Sequence, residues 1–217
     1  MTGSGPVGDY SVHYVLTRTI ELVRLNPLRV GLALLVLTAL GAISDSRWAG
    51  EAGSSTLVTS LVGLAFQYSL TGRLLDQLGL GTADRARYFA LFGLSLLTTI
   101  AITAGLIFLL APGLFLFVRW SISVPILLGP DDPGVMDSLR RSWRETQGRF
   151  WRIFGVFALI WAMAGAASGF GAAMEDPVVS AILTNLGLNA GLVAGWHAAV
   201  AIYAAGGRSA TLEEVFA

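Results

Sequence analysis

The sequence has no cysteine and no lysine. Without cysteine there are no disulfides, thiolate nucleophiles or thiolate metal sites, and the redox compartment stays open. Without lysine, each of the 14 cationic side chains is an arginine, a usage that suggests a GC-rich, bacterial genome. Charge of either sign is scarce, 13% of residues, against about 25% in a soluble domain. The formal net charge is zero, so nucleic acid is not an expected partner. No HExxH, GxSxG or Walker loop occurs. With only two histidines and no clustered His/Asp/Glu set, no catalytic residue, cofactor or metal is expected. The opening MTGSGPVGDY has no positive n-region, so no cleavable signal peptide is expected, and the first hydrophobic span would serve for insertion. No acidic residue falls inside a hydrophobic run, which argues against a proton- or sodium-driven carrier.

What the chain does have is apolar length. Hydrophobic residues make up 54%, and all but one of the arginines sit between the hydrophobic runs. Twelve fall in alternate polar stretches: Arg18, Arg24 and Arg29; Arg73, Arg85 and Arg87; Arg140, Arg141, Arg144, Arg149 and Arg152; and Arg208. The intervening stretches carry only Arg47. Arginine-rich loops alternating with arginine-poor ones are the mark of a chain threaded back and forth through a membrane, with the arginine-rich loops cytoplasmic. The hydrophobic stretches predict six spans: Val30 to Ser44, Ser55 to Gly72, Tyr88 to Leu110, Leu114 to Leu128, Ile153 to Gly171, and Val178 to Ala205. Because backbone polar groups in lipid must be bonded internally, helices are the expected form. The predicted fold is therefore all-α and integral to the membrane, a six-helix transmembrane bundle with two amphipathic interfacial helices.

The organisation follows. Residues 1–29 form a cytoplasmic N-terminus, 30–205 the six-span domain, and 206–217 a cytoplasmic tail. The first interfacial helix lies at 10–25, where Val12, Val15, Leu16, Ile20, Leu22 and Val23 share one face opposite His13, Thr17, Arg18, Glu21 and Arg24. Asn26-Pro27 reads as a cap and first helical residue. Pro112-Gly113 reads as a tight reversal between spans three and four. The second interfacial helix, a cytoplasmic one at 133–148, is more cationic. Asp132 and Pro133 open it, Val135, Met136, Leu139 and Trp143 share a face, and Arg140, Arg141 and Arg144 share the other. The localisation read from this pattern is a bacterial inner membrane, multi-pass, with both termini cytoplasmic.

Several residues are candidates for chemistry. Arg119 stands inside span four, where a charge costs about 2.5–3.5 kcal/mol on insertion scales. It either grips an anionic group in a cavity or snorkels and caps carbonyls near the Pro112 break. In span six Asn185, Asn189 and His197 form a polar stripe, either bonding neighbouring helices or lining a substrate path. On nearly the opposite face Gly187, Gly191 and Gly195 make two overlapping GxxxG steps that permit close helix packing, with Gly165 and Gly169 of span five as the expected partner. Thr98, Thr99 and Thr103 are expected to bond back to their own helix. Arg140, Arg141, Arg144 and Trp143 are candidates for contact with anionic lipid, each arginine contributing about 1 kcal/mol. Asp131 and Asp132 read as a capped turn rather than a metal pair.

The stretch Pro112-Gly-Leu-Phe-Leu-Phe-Val-Arg-Trp120, with Val124-Pro125, Ser138-Leu-Arg-Arg-Ser-Trp143 and Gly148-Arg-Phe-Trp-Arg152, resembles the membrane domain associated with glycerophosphoryl diester phosphodiesterases. The same pattern recurs in stand-alone bacterial membrane proteins. The likeness covers residues 112–155 and is weaker toward both ends. In fused members the diesterase activity belongs to a separate soluble barrel that this sequence does not contain, so no catalytic residue is carried over. The resemblance implies a multi-helix membrane module, with Arg119 and the segment from Arg140 to Trp143 part of a shared architecture.

The expectation is a non-catalytic integral membrane protein, a scaffold that binds lipid or a partner. Its partners would be membrane lipids and possible membrane proteins or further copies of itself, since the GxxxG steps permit helix-mediated dimers. The alternatives are a permease or flippase-like component moving an anionic lipid or amphiphile, and a membrane-embedded lipid enzyme. Convergence of Arg119, Asn185, Asn189 and His197 on one pocket would favour transport.

Overall fold

The computed structural model describes residues 11–47, 52–81, 87–131 and 133–216; side chains are described outside 46–56 and 207–217. Among the described residues there are nine helices and no strand. They are α1 (Val12–Leu25), α2 (Pro27–Arg47), α3 (Ala52–Gln77), α4 (Tyr88–Phe108), α5 (Leu110–Arg119), α6 (Ser123–Leu128), α7 (Val135–Glu145), α8 (Phe150–Ala172) and α9 (Pro177–Phe216). Among the described residues, five stretches are long and apolar enough to cross a membrane: Pro27–Asp45, Tyr88–Phe108, Leu110–Leu128, Phe150–Ala172 and Pro177–Gly206. The chain is thus an all-helical protein with the build of a multi-pass membrane protein.

Its surface fits that build. Phe89, Leu28, Phe108, Trp151 and Ile107 are more than three-quarters exposed. Such side chains suit hydrocarbon, because lipid is as apolar as they are. The main core lies where the arginine-bearing helix ends gather. Val15 and Leu22 of α1 pack there with Leu74 and Leu75 of α3, Ile122 just before α6 and Ile126 within it, Ile153 and Val156 of α8, and Ile202 of α9. At the same end the Asn26 and Gln77 amides exchange two hydrogen bonds, at 2.6 and 3.2 Å. Asn26 therefore ties α1–α2 to the end of α3 with its side chain, while its carbonyl accepts from Val30 N–H at 3.0 Å.

The structure corrects several local readings. α1 is capped by Ser11, whose hydroxyl accepts from Tyr14 N–H at 3.3 Å. It packs its face against α8 and α9, burying Val15, Thr19 and Leu22 while Ile20 is exposed. Thr19 can face inward because its hydroxyl donates to the Val15 carbonyl at 2.7 Å. The reversal between α4 and α5 falls on the single extended residue Leu109, not on Pro112-Gly113. Pro112 stands inside the first turn of α5, where an amide would have no intrahelical partner anyway. Gly113 instead lets α4 and α5 touch backbone to backbone. A Cβ on Gly105 would lie 2.8 Å from the Gly113 Cα, and one on Gly113 2.5 Å from the Leu106 Cγ.

Span four is also broken, by turns at residues 120–122 between α5 and α6. The carbonyl of Arg119, left free there, accepts from Ser142 Oγ at 2.7 Å and Thr146 Oγ1 at 3.3 Å, both on the α7 side. Arg87 does similar work at the other end of α6. It donates to the Leu127 carbonyl at 2.5 Å and the Pro133 carbonyl at 2.6 Å. α7 starts from Gly134 as its N-cap, with Ser138 Oγ donating to the Gly134 carbonyl at 2.9 Å. Asp132 lies outside the described residues.

α8 and α9 form the closest helix pair, but not through the expected glycines. A Cβ on Gly187 would lie 2.6 Å from the Ser168 amide nitrogen, and one on Gly191 2.5 Å from the Ala164 Cβ. The matching glycine on α8 is Gly171, facing Thr184 and Leu183. Gly165 and Gly169 have nothing within 4 Å, and Gly195 meets only Phe157, at 3.8 Å. The contacting face of α8 runs through Ala164, Ala167, Ser168 and Gly171, a single helical position away from the expected one, and each position turns the face by about 100°.

Candidate functional site

The candidate residues do not converge. Asn185, near the start of α9, donates from its amide to Asp45 at 2.7 Å and to its own Ala181 carbonyl at 2.9 Å, against Gly41 of α2. Asn189, one turn on, makes no hydrogen bond among the described residues. His197 is completely buried, with Nδ1 2.7 Å from the Val193 carbonyl. That contact makes Nδ1 the donor, and Nε2 is left as a buried acceptor without a hydrogen-bond partner. Val193, on the same stripe, packs on Val30, Ala33 and Leu70. The α9 stripe is therefore an inter-helix contact with α2 and α3.

Arg119 is at the end of α5, and its neighbours are different ones. Its guanidinium lies 5.0 Å from the Phe115 ring and 5.4 Å from the Trp143 ring. Nε and Nη1 are buried without hydrogen bonds. Among the described residues it neither pairs with a carboxylate nor caps carbonyls at the α4–α5 reversal. It is held by two aromatic faces, at about 0.5–2 kcal/mol each. Phe115 extends the aromatic cluster to Phe150 at 5.5 Å, joining α5, α7 and α8.

α7 separates its three arginines. Arg141 turns inward: Nε donates to Glu145 at 2.7 Å and Nη1 to Asp131 at 2.5 Å. Burial opposes its charge, but the two carboxylates outweigh burial and hold the guanidinium above its ordinary range. Arg141 thus leaves the cationic face and locks the α6–α7 turn onto α7. Arg140 and Arg144 remain on the outside. With Trp120, Met136, Asp137, Leu139 and Trp143 they line a surface groove of about 750 Å³. Arg144 has no ion pair among the described residues, and Arg140 has a loose one with Asp137, 3.7 Å apart and largely solvated on both sides. The groove thus combines an apolar floor with two cations and the Asp137 carboxylate around it, Arg144 being the cation without an ion-paired acid among the described residues.

The sequence reading missed a second feature, a cavity of about 290 Å³ inside the bundle. α3 contributes Gln67 and Thr71; α4 contributes Ser95, Thr98, Thr99 and Ile102. The α5–α6 segment gives Phe117, Trp120, Ser121 and Ser123, with Val124 and Pro125; α8 gives Phe157 and Trp161; α9 gives Leu192, Gly195, Trp196 and Ala199. Among the described residues no ionisable side chain lines it, and none of Arg119, Asn185, Asn189 and His197 does. Thr98, Ser121 and Ser123 donate to carbonyls of their own turns, at 2.8, 2.9 and 2.7 Å. Thr98 thus bonds back as expected, while Thr99, exposed, belongs to the cavity. The signal in the sequence was Gln67, a primary amide directly after Leu64-Ala-Phe66 in a hydrophobic run.

Comparison of this chain with family models, with curated proteins and with solved structures found no match.

Proposed function

We propose that this protein is a non-catalytic integral membrane scaffold that binds anionic lipid along α7 on the cytoplasmic face of a bacterial inner membrane. One observation carries this reading: Arg140 and Arg144 lie at the rim of a groove floored by Trp120, Met136 and Trp143. A lipid phosphate would meet the two guanidinium groups while the upper acyl chain rests on the aromatic floor. Arginine suits phosphate because its planar fork donates two parallel bonds.

In this reading α3 is the sixth span. Its 26 residues extend roughly 39 Å, more than the ~30 Å hydrocarbon layer needs, although its second half carries Gln67, Tyr68, Thr71 and Arg73. α1 and α7 act as the helices at the cytoplasmic interface, with both termini on that side. The likeness of residues 112–155 to the membrane domain of glycerophosphoryl diester phosphodiesterases supports a shared module. Pro112, Gly113 and Arg119 then serve its architecture, through the close α4–α5 contact and the packing of Arg119 on the edge-to-face Phe115–Trp143 pair. A permease or flippase moving an anion past Arg119 and the α9 asparagines gains no support from residues that face different neighbours.

The test is lipid binding by the full chain in non-ionic detergent, titrated with phosphatidylglycerol. At about 1 kcal/mol per arginine, replacing both Arg140 and Arg144 by glutamine should weaken binding roughly thirtyfold. Raised salt should erase most of the difference. Equal phosphatidylglycerol binding by the double variant and the parent would refute the groove.

A further inference from the structure

We infer that the central cavity is a lateral binding site for an uncharged lipid with a hydroxylated headgroup, of the diacylglycerol kind, recognised by the Gln67 amide. Four observations support this.

The first is the wall chemistry. Among the described residues no ionisable side chain lines the cavity, so a charged ligand would be desolvated there without a counter-charge. The second is the pattern of open hydrogen-bonding groups. Gln67 makes no hydrogen bond among the described residues and presents two donor hydrogens and an acceptor oxygen. Thr98, Ser121 and Ser123 have their hydrogens committed to backbone carbonyls and retain acceptor capacity only. A ligand hydroxyl can donate to the Gln67 carbonyl or to one of these oxygens, and its own oxygen can accept from the Gln67 NH₂. An ester carbonyl can take the second Gln67 hydrogen.

The third observation is the route in. Thr71, Ser123 and Phe157 are buried at the floor, while Thr99 and Trp161 are exposed at the mouth. α4 and α9 both line the cavity without packing closely on each other, so the mouth opens sideways between helices. A ligand dissolved in the bilayer can enter there without crossing the arginine-rich end. The fourth is size. About 290 Å³ is at the lower edge of small-molecule pockets. It takes a glyceride headgroup and its first methylenes, with Trp161 and Trp196 as apolar walls, and leaves the tails in the membrane.

The test uses the full chain in dodecyl maltoside and two short-chain probes with identical tails, dioctanoylglycerol and dioctanoyl phosphatidate. Dioctanoylglycerol should raise the melting temperature saturably. Gln67→Leu, a volume-conserving apolar change, should weaken its apparent affinity at least tenfold and leave the response to phosphatidate unchanged. Replacing Arg140 and Arg144 by glutamine should leave the dioctanoylglycerol response intact, because the cavity and the α7 groove share only the Trp120 side chain and neither arginine lines the cavity; loss of that response in the double variant overturns the assignment to the cavity. An unsaturable response, as from general detergent mixing, overturns the inference, and so does unchanged affinity in Gln67→Leu. Should that variant not fold, Thr99→Trp at the exposed mouth takes its place. Dioctanoylglycerol must then lose its saturable effect, and its retention overturns the site.

Discussion

Replacing Gly187 by alanine should destabilise the bundle, while the same replacement at Gly165 should not. Both residues are helical, so intrinsic propensity favours alanine at each by about 0.8–1.0 kcal/mol. Their surroundings decide the difference. At Gly187 the new methyl would lie 2.6 Å from the Ser168 amide nitrogen and 3.1 Å from the Ala167 carbonyl carbon. Both are backbone atoms, so no rotamer change relieves the contact. Ordinary contact begins near 3.4 Å, so α8 must withdraw by about 0.8 Å, the difference between 3.4 and 2.6. A gap of 0.5–1 Å forfeits about a quarter to a half of each dispersion contact it opens. The withdrawal would be felt at Ala164, Ala167 and Gly171 together, because they share the α9-facing side. Overpacking of this kind costs about 1–3 kcal/mol, enough to outweigh the propensity gain. At Gly165 nothing lies within 4 Å, so only the propensity gain is left. The assay is unfolding of the purified chain in mixed micelles with rising sodium dodecyl sulfate, followed by helical circular dichroism. Gly187→Ala should shift the midpoint down and Gly165→Ala should leave it or raise it. Equal losses at both positions would refute the α8–α9 register described above.

Three further outcomes follow from single contacts. Ser142→Ala removes the 2.7 Å bond to the Arg119 carbonyl at the α5–α6 break; it should cost about 1 kcal/mol, and Ser142→Ala with Thr146→Val should cost more than either alone in the same unfolding titration. Gly148 has φ +76° in the turn between α7 and α8, so Gly148→Ala should cost about 1–2 kcal/mol, whereas Gly93→Ala, with open space around it, should cost nothing. Arg119→Leu exchanges two cation–π contacts for relief of two unbonded buried nitrogens; the opposing terms should leave stability within about 1 kcal/mol, and failure of the variant to insert would show that the charge itself is needed.

The helical character and approximate bounds of the hydrophobic runs were legible from residues alone, because lipid admits few other forms and the arginines mark the ends of the runs. Val30 to Ser44 became Pro27–Arg47, Ile153 to Gly171 became Phe150–Ala172, and Val178 to Ala205 became the first part of Pro177–Phe216. The outward faces of Arg140 and Arg144 were also legible from the helical period. Contacts were not. Gly165 and Gly169 carry the spacing of a packing motif, yet it is Gly171 and Ala164 that meet α9; the repeat of a helix does not say which way a neighbour lies. Arg141 shares the composition of its face but is drawn inward by Asp131, ten residues earlier across a turn. Arg119 found aromatic rings from α5 and α7 rather than an anion or a carbonyl, because α5 ends where α7 folds back over it. The cavity depends on five separate parts of the chain, and its key amide, Gln67, stood in the sequence as one polar residue in an apolar run. Local pattern in a bilayer-like solvent determined the helices and their polar ends; the relative rotation and depth of those helices, which only long-range packing sets, decided which side chains face one another and where space was left.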